Sequence, residues 1–282
     1  MAYQWFPGHM TKAFRMMEED IKLIDLVIEL VDARAPRASR HPDIDRLGKG
    51  KSRMIILNKS DLADEKANEE WSRYFSDKGY TVVTINSRTG AGINKVKPSI
   101  QTACSEKLER DKKRGIMNRP VRAMVVGIPN VGKSTFINSL AGKAAAKTGN
   151  KPGVTKGKQW IRLNKNVELL DTPGVLWPKF EDQDTGRKLA FLGSINDEII
   201  EKQELACELI THITDKEHGY PGVISSRYDV AEDRIPHELL SDIALARNCL
   251  IKGGEPDLDR AANLLIDDFR GGKLGRISLE RP

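Results

Sequence analysis

With 39% hydrophobic and 30% charged residues over 282 positions, the chain has the composition of an ordinary soluble protein of about two domains. No apolar run reaches bilayer-spanning length and MAYQWFPGHM at the start holds no apolar signal core, so a cytoplasmic protein without a membrane partner is expected. The net charge of +6 hides two unlike halves: 33 basic against 19 acidic residues over 1–180, or +14, and 13 against 21 over 181–282, or −8.

In chain order, Phe6-Pro7-Gly8 forms a turn, His9 follows, and MTKAFRMMEEDIKL has helical spacing with Thr11 as an N-cap. Asp25–Arg34 is apolar enough for a buried strand ending at Asp32, and the loop after it carries Arg34, Arg37 and Arg40. A second strand, Arg53–Leu62, runs into Asn58-Lys59-Ser60-Asp61. A carboxylate at the Asp61 position accepts from both N1–H and the exocyclic amine of guanine, a pair of donors that adenine lacks. Asn58 supports the loops and the Lys59 stem covers the ring face. A helix over Asp64–Asp77 places Trp71, Tyr74 and Phe75 in a core, and Thr81–Asn86 forms a third strand. Residues Asn86, Ser87 and Arg88 then begin a loop resembling the one whose backbone N–H meets guanine O6, with Asn-Ser-Arg in place of its usual Ser-Ala-Lys. A charged helix, about Lys95 to Arg114, reads as a connector or as a basic patch.

The strand RAMVVG (Arg122–Gly127) leads into GIPNVGKS, Gly127 to Ser134, and Lys133–Leu140 continues as a helix. Glycine, four residues, then glycine, lysine and serine is the phosphate-loop pattern. Gly127 and Gly132 let successive N–H groups form a concave nest around a β-phosphate. Lys133 supplies a point charge between the β- and γ-phosphates, the Ser134 hydroxyl a magnesium ligand, and the helix N-terminus a favourable dipole. With a strand before and a helix after, the pattern identifies a nucleotide site formed by Asn130, Val131, Gly132, Lys133, Ser134 and Thr135.

Residues 140–158 are small, Gly-rich and cationic, and read as a mobile loop. From Lys133 to Lys165 there are eight basic residues and no acidic one, more than one nucleotide needs, so an RNA partner rather than DNA is expected. Strands Gln159–Leu163 and Val167–Asp171 enter Asp171-Thr172-Pro173-Gly174, where Asp171 holds magnesium through water and the Gly174 N–H senses the γ-phosphate. Beyond Leu176, segments 180–191, 197–218, 233–253 and 256–271 carry helical spacing and suggest an all-helical domain. The expected division is 1–178 and 179–282. Cys104, Cys207 and Cys249 show no metal-ligand spacing and read as free thiols.

In ordinary GTPases the phosphate loop precedes the guanine motif; here Asn58–Asp61 precedes Gly127–Ser134. The chain thus resembles a circularly permuted Ras-like P-loop GTPase, an α/β fold with a mostly parallel sheet, followed by a smaller all-α domain. FPGHM, VDARAPRASRHP, NKSD, GIPNVGKS, PGVT and DTPG, in that order, resemble the YlqF type, the ribosome biogenesis GTPase A family. The resemblance implies GTP and GDP as ligands, magnesium, and a GTPase that binds the assembling large ribosomal subunit and couples hydrolysis to its maturation and its own release. It also implies a helical domain that contacts ribosomal RNA. The −8 balance sits awkwardly with that last point, so at least half of the RNA contact is expected on the basic GTPase half, including Arg34–Arg40 and Lys143–Lys158. A monomer is expected; a nucleotide-gated RNA-binding module with incidental hydrolysis is the alternative. By resemblance Thr155 of PGVT ligates magnesium when the γ-phosphate is present, and Asn130 stands where potassium-stimulated GTPases place a potassium ligand. The water-orienting glutamine of Ras-like enzymes is replaced by Val175, and His9, held by the Pro-Gly turn, is the candidate to take over that duty.

Overall fold

The computed structural model describes residues 8–116, 119–142, 159–177, 180 and 182–282, and not the side chain of His9. Thr155 and the Lys143–Lys158 segment lie outside the described residues. Six strands form one sheet in the order β3-β2-β1-β4-β6-β5. They are β1 (Leu26–Asp32), β2 (Ser52–Asn58), β3 (Thr81–Thr84), β4 (Val121–Val126), β5 (Gln159–Asn164) and β6 (Val167–Asp171), all parallel except β5. Every residue of β1 is buried, as a central parallel strand covered on both faces requires. Side chains alternate between the faces: Val31, Ile55 and Leu57 meet Trp71 and Phe75 of α3 (Glu65–Asp77), while Leu30 and Ile56 belong to the larger cluster on the other side.

The first helix, α1 (Gly8–Asp20), begins before Thr11, which lies inside it rather than capping it. A short α2 (Ile44–Leu47) sits in the loop after β1. The single helix expected over Lys95–Arg114 is two, α4 (Ile93–Ala103) and α5 (Ser105–Lys113). Val96 and Ile100 fasten α4 to the sheet, and buried Cys104 marks the break; SEKLERDKK beyond it has no fully buried residue and only Leu108 half-buried against the core. The helix turns where its apolar stripe stops. After β4 comes α6 (Lys133–Ala141), the helix that the phosphate loop opens.

Residues beyond 180 are helical: α7 (Gln183–Phe191), α8 (Lys202–Thr214), α9 (Val223–Tyr228), α10 (Pro236–Ala246) and α11 (Leu258–Arg270). The Asp257 side chain caps α11 by accepting from Arg260 N–H at 3.0 Å. The buried apolar cluster continues from Met10 in α1, through the sheet, to Leu279 near the C-terminus. The last ten residues run back across the sheet half: Ile277 N–H donates to Leu62 O at 2.9 Å, Leu279 N–H to Arg34 O at 2.7 Å, and Trp71 Nε1 to Glu280 O at 3.2 Å.

That return path corrects one expectation. Arg34 is 1% exposed, and Arg40 is bound to Glu29 and Asp45 at 2.9 and 2.8 Å. Only Arg37 of the three is exposed, and its guanidinium covers the Trp71 ring. Arg34 and Arg40 are held in ion pairs within the protein, so of the loop's three cations only Arg37 remains exposed.

Candidate nucleotide-binding site

The carboxyl ends of β1, β2, β4 and β6 meet at one edge of the sheet, the crevice in which open α/β sheets bind ligands. β4 delivers the phosphate loop there and α6 leaves it. Gly132 has φ +96, and a Cβ on it would come within 2.5 Å of Asn58 Nδ2, so only glycine satisfies both the backbone and its neighbour. Asn130 also adopts a left-handed conformation, φ +59, as asparagine tolerates best after glycine.

Lys133 is 6% exposed. Its Nζ lies 3.0 Å from Asp171 Oδ1 and also donates to Thr172 O. Burial pushes this ammonium below the ordinary lysine range, and Asp171 opposes the shift. The second switch, Asp171–Gly174, is pressed with the following Val175 against the phosphate loop: a Cβ on Gly174 would meet Pro129 at 3.0 Å, Val175 N–H donates to Gly127 O at 3.3 Å, and Thr172 Oγ1 donates to Val125 O at 2.8 Å. Ser134 and Thr135 occupy the first turn of α6 beside Lys133. The donors expected around phosphates and a hard divalent cation are therefore brought together: a lysine, a hydroxyl, a buried carboxylate and a helix N-terminus.

At the base end Asn58 ties two loops together. Its Nδ2 donates to Val131 O at 2.8 Å, and its Oδ1 accepts from Ser87 N–H at 3.0 Å. Asn86 Oδ1 in turn accepts from the N–H groups of Arg88 and Thr89 at 2.8 and 3.0 Å, which folds that loop into a compact turn. These three N–H groups are engaged within the protein. Asp61 stands exposed at the end of the β2 turn, where a ligand can reach its carboxylate. Lys59 has φ +58; its Nζ donates to Asn130 O at 2.9 Å and lies 2.9 Å from Asp32 Oδ2.

Sequence reasoning missed the role of Asp32 and Arg34. Arg34 grips the Asp32 carboxylate with Nε and Nη2, each at 2.9 Å, and both residues are 1% exposed. Burial alone pushes Asp32 upward, but Arg34 and Lys59 overcome it and hold the carboxyl well below the usual range. Arg34 also reaches the helical half, donating to Phe269 O at 3.4 Å and lying over the Phe269 ring. The available signal was an acid closing a strand apolar but for Glu29, where a buried charge persists only if paired.

One more link joins the halves, and another contact fastens α1 to the sheet half. Asn130 Nδ2 donates to Gly193 O at 2.6 Å, just beyond α7. In α1, buried Met10 accepts from Leu176 N–H through its thioether at 3.5 Å, which fixes the turn containing His9 beside the second switch. Val175 is 3% exposed, and it shares a small cavity with Phe14, His41 and Gly127. His41 stacks on Phe14 at 4.9 Å and meets the Trp177 edge at 5.4 Å. Thus His41 approaches this segment, within an aromatic stack.

Residues 122–240 match the family model described as 50S ribosome-binding GTPase. Ribosome biogenesis GTPase A of Bacillus cereus is 46% identical over 285 residues, covering 100% of this chain and 95% of that protein. The fold is similar to the GDP-bound structure of TM YlqF, with TM-score 0.70, 31% identity and coverage of 95% and 99% of the two chains. It is also similar to GNP-bound YlqF from T. maritima, with TM-score 0.65, 32% identity and coverage of 96% and 98%. Guanine-nucleotide binding and GTP hydrolysis follow from these likenesses together with the loops above. The chain belongs to the ribosome biogenesis GTPase A family, the YlqF type of circularly permuted GTPase.

Proposed function

We propose that this GTPase binds the assembling large ribosomal subunit, its RNA and proteins, and that hydrolysis is coupled to maturation of the particle and release of the GTPase. The observation that carries the coupling is the 2.6 Å bond from Asn130, in the phosphate loop, to Gly193 at the entrance to the helical half. A change in the loop is communicated to that half without an intervening linker. Residues 1–178 act as the nucleotide unit and 179–282 as the unit that reports its state, and the protein works as a cytoplasmic monomer.

In this reading Asp61 accepts from the two guanine donors, and Asn58, Lys59 and the Asn86–Arg88 loop shape the base pocket. Val131, Gly132, Lys133 and Thr135 cradle the phosphates, and Lys133 exchanges Asp171 for phosphate oxygens. Gly174 N–H senses the γ-phosphate. Ser134, Asp171 and Thr155 would hold magnesium, which supplies Lewis-acid neutralisation of phosphate charge when bound. Asn130 would ligate potassium through its amide oxygen, leaving its Nδ2 on Gly193. His9, fixed beside the second switch by Met10, orients the attacking water in place of the apolar Val175.

The test is co-sedimentation with purified large-subunit precursors in the GTP-analogue, GDP and empty states, paired with single-turnover hydrolysis with and without particles. Tight binding in the analogue state, weak binding in GDP and particle-stimulated hydrolysis are expected. Nucleotide-independent association would refute the coupling. Nucleotide-dependent binding without stimulation would leave an RNA-binding module whose hydrolysis is incidental.

A further inference from the structure

The sheet edge remote from the guanine loops carries an exposed aromatic ring among cations. β5 is the outermost strand, paired with β6. On it Trp160 is 41% exposed, whereas Trp71 and Trp177 are 0% and 7% exposed. Strand periodicity puts Arg162 on the same face as Trp160, and Glu168 of β6 stands opposite both Arg162 and Arg122 of β4. The Arg122 guanidinium lies 5.5 Å from the centre of the Trp160 ring, and its Nε is 3.5 Å from Glu168. Lys165 in the β5–β6 turn and Arg119 before β4 are exposed at the same end, where Val121 N–H donates to Asn166 O at 2.8 Å. Among the described residues neither Arg162 nor Lys165 has a carboxylate partner.

Charges along an edge strand discourage pairing with another chain, and that accounts for Arg162 and Lys165. It does not account for the indole, since an exposed tryptophan on an edge invites association. Aromatic rings flanked by cations suit unpaired nucleic acid, whose bases stack on the ring while the phosphates meet the charges. The electrostatics agree: residues 1–180 carry +14, and Lys133–Lys165 contains no acidic residue. We propose that Trp160, with Arg122, Arg162 and Lys165, is a stacking platform for an unpaired base of RNA, its flanking phosphates lying on the cations. The ribosomal source of that RNA rests on the function proposed above; the platform itself is tested without it.

The test uses the full chain and the variants Trp160→Ala, Trp160→Phe and Arg162→Glu, with GDP affinity as the folding control. The probes are a short unstructured RNA oligonucleotide, over a range of salt, and purified large-subunit precursors. Trp160→Ala should weaken oligonucleotide binding roughly tenfold or more, and Trp160→Phe should remain within about threefold of the parent. Arg162→Glu should weaken binding and flatten the logarithmic salt dependence by about one unit or more. Parental affinity for the oligonucleotide in Trp160→Ala overturns the proposal. So does weakened particle binding with unchanged oligonucleotide binding, which would assign this edge to a ribosomal protein. Should Trp160→Ala fail the GDP control, parental RNA affinity in a folded Arg162→Glu protein is equally fatal. If the parent ignores precursor particles in every nucleotide state, the ribosomal function fails, while the oligonucleotide arm still decides the platform.

Discussion

The two ends of the nucleotide site hold their lysines differently. At the phosphate end, Lys133 leans on Asp171 and the Thr172 carbonyl, groups belonging to the segment proposed to respond to the γ-phosphate. At the base end, Lys59 leans on Asp32, which Arg34 grips from the other side, and Arg34 is tied to Phe269 and Leu279. The first pair is arranged for exchange, because phosphate oxygens can take the carboxylate's place. The second is built into the core between sheet and helices, where rearrangement would strand a buried charge. One end of the ligand is thus read by a fixed frame and the other by a responsive one.

The largest expected effect lies at the fixed end. If Asp61 reads the two guanine donors as proposed, Asp61→Asn removes two charge-assisted hydrogen bonds, each about 1.5–3 kcal/mol, and GTP affinity should fall roughly a thousandfold. A xanthine nucleotide, which offers a carbonyl where guanine has its amine, should regain most of it. Competition binding with GTP, XTP and ATP measures this; undiminished GTP preference in the variant would remove Asp61 from base recognition.

The contrast itself is sharpened by a pair of neutralising substitutions. Asp32→Asn leaves buried Arg34 facing Lys59 without a carboxylate, and should destabilise the nucleotide-free protein by about 3–5 kcal/mol. Asp171→Asn leaves Lys133 with the Thr172 carbonyl and an ammonium that burial already pushes toward neutrality, and should cost about 1–2 kcal/mol. Urea unfolding of both variants decides the matter. Equal losses would mean that the two ends are equally rigid.

Beside the phosphate end, the stack of Phe14, His41 and Trp177 reports on the flank of the second switch. Burial lowers His41 to about 4, from 6.5 in an unconstrained chain. The unfolded chain therefore takes up the proton first as pH falls. The stability contributed by the neutral ring is complete above pH 6.5 and is lost progressively toward pH 4, up to about 2–3 kcal/mol. Urea midpoints at several pH values should show this slope, and His41→Phe should flatten it. A slope that survives the substitution would assign the effect to other groups.

The smallest effect probes the link between the halves. Asn130→Ala removes the bond to Gly193 and should cost about 1 kcal/mol of stability. If the link couples the halves, it should also reduce the ratio of ribosomal-particle affinities between the GTP-analogue and GDP states. If Asn130 is a potassium ligand, hydrolysis by the parent should run faster in potassium than in sodium, and the variant should lose that difference. An unchanged affinity ratio in the variant would show that the contact is only structural.

The phosphate loop, the guanine motif, the second switch and their permuted order were legible in the sequence because each is a local pattern. A loop between a strand and a helix takes its shape from a few consecutive residues, and glycine at 132 or asparagine at 58 announces the backbone or side chain that position requires. Strands β1 and β2 were legible for the same reason, as near-continuous apolar runs that central parallel strands covered on both faces require. The division of one charged helix into α4 and α5 was harder to see, since its break depends on where the sheet beneath ends its cover.

What the tertiary structure alone decided is which charges face inward. In sequence, Arg34, Arg37 and Arg40 make one basic loop, indistinguishable in type from the cations around Trp160. Folding brings Asp32, Glu29, Asp45 and the returning C-terminal residues to the first group, and leaves Arg162 and Lys165 at an open edge without a carboxylate partner among the described residues. The partners of Arg34 stand 2 residues away at Asp32 and 235 away at Phe269. Local pattern carries the first of these and not the second. Coulomb energy depends on distance in space and on the water excluded between charges, and neither is written in the spacing of residues along a chain.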